Sequence, residues 1–211
     1  MKNFLAFFTI AFVIFAGTSV LMSRSAASAD IQSADGIQLT MRALWEDHIT
    51  YTRNYIISEL AGLPDTDAVS KRLLKNQDDI GAAIKPYYGD DAGNKLASLL
   101  KDHILISSKV VKAAKAGNKD QLAARQKEWD QNGNDITEFL NGANPDHWSK
   151  SELKDMFQKH LDLTMTEVTS RLEKNWTSDI EAYDQVHAHM FMFADMLADG
   201  IVKQFSAKFT Q

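Results

Sequence analysis

Beyond residue 30, apolar side chains return every three or four positions, and no alternating strand pattern is sustained. That period predicts six helices, at about 36–62, 66–85, 91–116, 119–141, 150–174 and 178–206. Turn residues set the limits. Gly62 and Pro64 end the first helix, Asp65-Thr66-Asp67 opens the second, and Pro86 stops it. Gly117 closes the third, and Gly142 with Pro145 closes the fourth. Ser149 with Glu152 three residues on forms a capping box for the fifth. Short connections make consecutive helices antiparallel neighbours. The expected fold is an all-α antiparallel bundle of about six helices, in one domain over 30–211.

The first 29 residues follow a different pattern. Lys2 precedes an almost wholly apolar run, Phe4–Leu21, and Ala27-Ser28-Ala29 has the small residues of an export cleavage site. The expectation is a signal peptide; the alternative is an uncleaved membrane anchor, since the run nearly suffices to span a bilayer. Either places the remainder outside the cytoplasmic membrane, extracellular or in the cell envelope. No later apolar run is long enough to cross a membrane.

Composition narrows this further. Apolar residues at 45% and charged residues at 24% are globular values, which exclude a disordered or collagen-like chain. Only 3 prolines and 10 glycines leave room for long uninterrupted helices. Removing residues 1–29 takes away Lys2 and Arg24 and no acid, so the formal charge moves from −5 to −7. That gives no footing for nucleic acid. There is no cysteine, which excludes disulfides, thiolate metal sites and cysteine nucleophiles.

An internal repeat emerges on aligning the helices. Leu44-Trp45-Glu46-Asp47-His48-Ile49 and Leu99-Leu100-Lys101-Asp102-His103-Ile104 share L-x-x-D-H-I at an offset of 55. Asn76-Gln77-Asp78-Asp79-Ile80 and Asn132-Gly133-Asn134-Asp135-Ile136 share N-x-x-D-I at 56. Two unrelated motifs with nearly one offset imply copies of one helical hairpin. His160, 57 after His103, suggests a third copy, with Asp184-Gln185-Val186-His187 in its second helix. The hairpins are expected at about 36–86, 90–145 and 149–206.

Helical spacing puts four histidines on apolar stripes: Leu44, His48, Tyr51 and Tyr55; Leu96, Leu99, His103, Ile106 and Val110; Leu153, Met156, His160, Leu163 and Glu167; Ile180, Tyr183, His187, Met190 and Leu197. All four lie near mid-helix. Asn76 with Asp79, and Asn132 with Asp135, are also near mid-helix and three apart, hence on one face. One buried layer is therefore expected to collect His48, Asn76, Asp79, His103, Asn132, Asp135, His160, Asp184 and His187. Burying these groups is costly unless each finds a partner.

Imidazole and carboxylate donors without sulfur suit zinc, iron, manganese or copper(II). Bundle cores hold such ions between facing helices, and Asp184-x-x-His187 has the spacing of a known carboxylate–histidine pair. The expected metal ligands are His48, His103, His160, Asp184 and His187, with Asn76, Asp79, Asn132 and Asp135 orienting them or adding donors. A small polar ligand is a further option. The competing reading is a self-satisfied layer that fixes helix register. Asp47 and Asp102 neighbour their histidines in sequence, so they belong on the surface. His189, Met192 and Met196 share a face that could bind copper(I), although methionine at this spacing is more often core filling. Trp45, Trp129, Trp176, Tyr51, Tyr55 and Tyr183 read as core, His147 as a solvent-facing loop residue. No G-x-S-x-G, phosphate loop, H-E-x-x-H or dinucleotide fingerprint occurs.

The segments Trp45-Glu46-Asp47-His48, Asp102-His103-Ile104, His160-Leu161-Asp162-Leu163-Thr164 and Asp184-Gln185-Val186-His187-Ala188-His189 resemble a family of small exported bacterial helical proteins without a characterised activity. Members carry labels such as glycosyltransferase or acetylglutamate kinase. Those labels imply an α/β nucleotide-binding fold, which the helical pattern here does not match. The resemblance implies a shared helical fold and carries over no site residues.

The sequence therefore points to an exported binding protein with a His/Asp/Asn core site for a metal ion. The alternatives are a structural or interaction protein of the cell surface and, third, a metal-dependent enzyme, which would need an open coordination position. No partner beyond the ion or ligand is implied, and the membrane enters only through the N-terminal segment.

Overall fold

The computed structural model describes residues 33–209, so the expected signal segment lies outside the described residues. Five helices follow in order: α1 (Ala34–Ala61), α2 (Thr66–Lys115), α3 (Lys119–Ala143), α4 (Lys150–Leu172) and α5 (Trp176–Gln204), then a 3-10 turn at Ser206–Lys208. The fold is all-α. Polar side chains start the helices as their types predict. Ser33 accepts from the Gly36 amide, Asn118 from Gln121, Ser149 from Glu152 and Asn175 from Ser178. No helix among the described residues is long and apolar enough to cross a membrane.

The two helices expected at 66–85 and 91–116 are the arms of α2, and Pro86 does not separate them. The helix runs through Pro86 and breaks at Gly89, whose φ of 85° and ψ of 170° are open essentially only to glycine. Pro86 and Ala82, four residues earlier, are both exposed. The carbonyl that proline cannot engage therefore lies on the solvated side, and the helix survives there. Past the break the arms fold against each other at Gly81 and Gly93. A Cβ on either glycine would run into the other's carbonyl oxygen.

The helices close into a ring: α1 packs on α2 and α5, α3 on α2 and α4, and α4 on α5. Ion pairs give the direction of the closing contact. Arg42 meets Asp195, and Arg53 meets Asp179, so α1 and α5 run antiparallel. One large apolar cluster fills one end, with Trp45, Leu100, Phe157 and Phe193 among its members. A second fills the other, with Tyr55, Ile56, Ile104 and Val168. His103 falls between these clusters in sequence, and His48 and His160 each lie just before the last member of the first cluster on their helix, Ile49 and Leu163.

Candidate functional site: a buried histidine centre

His48 and His103 are each 2% exposed and His160 is 6% exposed. The His160 ring lies between the other two, its centroid 5.8 Å from His48 and 5.9 Å from His103. Burial pushes the His48 imidazole down to about 3, with His103 adding to the effect and the Gln77 amide opposing it. Burial likewise takes His103 to about 4 against the Asn132 hydrogen bond. His160 falls well below the usual histidine range through burial, then through the neighbouring His48, His103 and His189. All three are neutral at pH 7.

One hydrogen bond is made three times around this centre. Asn76 Nδ2 donates to the Leu44 carbonyl at 2.9 Å. Asn132 Nδ2 donates to the Leu99 carbonyl at 3.1 Å. His189 Nε2 meets the Met156 carbonyl at 2.9 Å, and because a carbonyl only accepts, that nitrogen carries the proton. Leu44, Leu99 and Met156 each lie four residues before a buried histidine, at offsets of 55 and 57. The donors follow one another at 56 and 57. Each bond thus ties the histidine-bearing helix to its neighbour at the same height.

His103 has no nitrogen to spare. Trp129 Nε1 donates to His103 Nε2 at 3.1 Å, so Nε2 is unprotonated and Nδ1 bears the hydrogen. Nδ1 donates to Asn132 Oδ1 at 2.7 Å, and the bond from Asn132 Nδ2 to Leu99 fixes that amide's orientation. His48 and His160 differ. The Nδ1 atom of each is enclosed without a hydrogen-bond partner, as are Trp45 Nε1 and Gln77 Oε1. Gln77 favours charge on His48 without closing a well-aligned bond to Nδ1, and its own amide nitrogen donates to Leu73 and Asn76. A cavity of about 10 Å³, the room of one water, has His48, His103, His160, Trp45, Met156 and Met190 in its lining, with apolar side chains between them.

The remaining expected members lie elsewhere. His187 is half-exposed, its Nε2 2.7 Å from Glu46 Oε2, and Asp184 is exposed. The core face of α5 instead carries Ala182, Val186, His189, Met190 and Phe193, while Ile180 is 55% exposed. α5 also presents Ile180 and Met192 outside its core face, so the stripe through Ile180 and His187 looks as good on paper as the true one. Asp79 pairs with Lys75 on the surface, and exposed Asp135 accepts from Gln131 at 2.9 Å. Three residues turn a helix by about 300°, so each aspartate stands at the margin of its asparagine's face, where solvation draws it outward. His189 is buried but Met192 is exposed, so the less favoured copper set of His189, Met192 and Met196 does not assemble, and Met192 does not fill the core either. Asp47 pairs with Arg72 at 2.5 Å, Asp102 is exposed, and so is His147. Trp176 is exposed, contrary to its expected core place, and lies under the Arg171 guanidinium.

Trp129, read as core, reaches the centre with its polar tip, and Met156 stands on the His160 stripe as its spacing predicts; sequence reasoning missed Gln77 and passed over His189 as a member of the layer. The signal for His189 was the offset of 57 from Asn132. It also missed a buried ionic lock nearer the other end. Arg53 reaches Glu167 at 2.8 Å and also Asp179, and Arg171 reaches Asp179 at 2.8 Å. Burial raises the Glu167 carboxyl against the pull of Arg53. Two cations on two carboxylates leave this lock neutral, which suits a structural role.

Among the described residues, no three His, Cys, Asp or Glu side chains stand together as donors to one metal ion. No protein-family model, no curated protein and no solved structure matches the chain.

Proposed function

We propose that the chain is an exported bundle of three copies of one helical hairpin, and that it binds a metal ion in its core between His48 and His160. The observation carrying this reading is the pair of enclosed, unpartnered Nδ1 atoms on neighbouring rings that line one cavity. An unsatisfied buried polar atom costs about 1–3 kcal/mol, and an ion held by both rings would offset that cost twice. Both imidazoles are neutral, which is the form that coordinates. Asn76 and His189 would brace the helices that carry the ligands. The threefold recurrence of one hydrogen bond supports the three-copy description. Lys2, the apolar run and Ala27-Ser28-Ala29 support export. The reading is binding rather than turnover, because so small a cavity leaves no room for a substrate beside the ion.

A second reading is favoured by His103, whose nitrogens are both satisfied within the protein. On that reading the layer only sets helix register, and a trapped water serves His48 and His160. Metal analysis of untagged protein separates the two, with melting measured before and after chelation. The metal reading expects close to one ion per chain, a chelator-sensitive melting temperature, and loss of both in His48→Gln and His160→Gln. No ion under any metal supply, with melting unmoved, assigns the layer to register alone.

A further inference from the structure

We infer that the ion is copper(I), an inference that rests on the metal reading above. Apart from His103, whose nitrogens are both engaged, the donor-bearing residues lining the cavity are two histidines with unpartnered nitrogens and the thioether residues Met156 and Met190. No carboxylate lines it. Soft thioethers and imidazole select copper(I), whereas magnesium, calcium and manganese require oxygen donors. Zinc completes its tetrahedron from thiolate, imidazole, carboxylate or water. The chain has no cysteine, so methionine is its only soft donor.

Charge points the same way. Every available donor is neutral, so the buried complex keeps the full charge of its ion. The desolvation penalty rises with the square of that charge, making a divalent ion about four times as costly as a monovalent one. Copper(I) is also stable with two or three ligands, which suits a cavity the size of one water. His103 also lines the cavity, but its Nε2 accepts from Trp129 and its Nδ1 donates to Asn132, so a zinc site of three histidines cannot form without breaking the Trp129 bond.

The test titrates untagged protein with copper(I) from a competing chelator and, separately, with zinc(II) and cobalt(II). Met156→Leu and Met190→Leu preserve side-chain volume, and helical circular dichroism checks their fold. Copper(I) should bind tightest, with sulfur beside nitrogen in its X-ray absorption spectrum, and each leucine variant should weaken it by about 10-fold. Tighter zinc or cobalt binding that His48→Gln and His160→Gln abolish overturns the copper assignment and leaves the metal reading standing. Copper(I) binding that both leucine variants leave unchanged overturns the thioether ligation, and with it the ground for choosing copper(I), and leaves the metal reading standing. Failure of all three ions to bind overturns both.

Discussion

The indole N–H of Trp129 can only donate, and this fixes the hydrogen on the ring it meets. His103 must accept through Nε2 and donate through Nδ1 to Asn132. Nitrogen NMR of the imidazoles at pH 7 should therefore find His103 as the neutral Nδ1–H tautomer; a signal of the Nε2–H form would contradict the arrangement. Trp129→Phe keeps an aromatic ring of smaller volume and removes the donor, leaving Nε2 buried and unpaired. The expected loss is about 1–3 kcal/mol in urea unfolding. A neutral result would mean that His103 finds another partner.

At the scale of helices, two glycines with positive φ make a paired comparison. Gly62 at φ 67°, ψ 38° occupies the left-handed helical region that ends α1. Gly89 at φ 85°, ψ 170° occupies a region closed to side-chain-bearing residues. Gly62→Ala should cost about 1 kcal/mol and Gly89→Ala up to about 3, read as the difference in urea midpoints. Equal costs would mean the turn between the α2 arms relaxes. The ionic lock gives a larger effect, because Arg53→Met strands Glu167 and leaves Asp179 to Arg171 alone. Removing one partner of a buried pair costs about 3–5 kcal/mol; a loss under 1 kcal/mol would mark the lock as solvated.

The same scale explains what the chain made legible. Starts at Lys119 and Lys150 were readable because Asn118 and Ser149 cap by local chemistry. The break at Gly89 was not, because whether a helix survives Pro86 depends in part on solvent reaching the freed carbonyl, and exposure is a tertiary property. The positions of His48, His103, His160, Asn76 and Asn132 were legible because helical spacing alone puts them among apolar neighbours. His187 displaced His189 because Ile180 and Tyr183 make a second apolar stripe on α5, beside its core face. Hydrogen-bond saturation of His103 was invisible, since Trp129 comes from another helix whose rotation the sequence does not encode locally.

For the whole molecule the buried imidazoles set a pH dependence. His48 and His103 have folded values of about 3 and 4, and His160 lies well below the usual range; unfolded, all three titrate near 6.5. Between those values the unfolded chain binds protons that the folded chain refuses. Stability is therefore at its full value above the unfolded pKa and falls as pH drops toward the folded values. Each imidazole contributes a slope of about 1 kcal/mol per pH unit once the pH is well below 6.5. Asp195, held low by Arg42, loses its stabilisation as pH falls through its own lower range, while Glu167, raised by burial, works the other way. Chemical unfolding of chelated protein should thus lose stability steeply from pH 6 to pH 4. His103→Gln, which removes one of the three titrating rings, should flatten that slope by about a third. A profile that stays level over this range would mean the three rings are charged or hydrated in the folded protein, and both the register and the metal readings would lose their common premise.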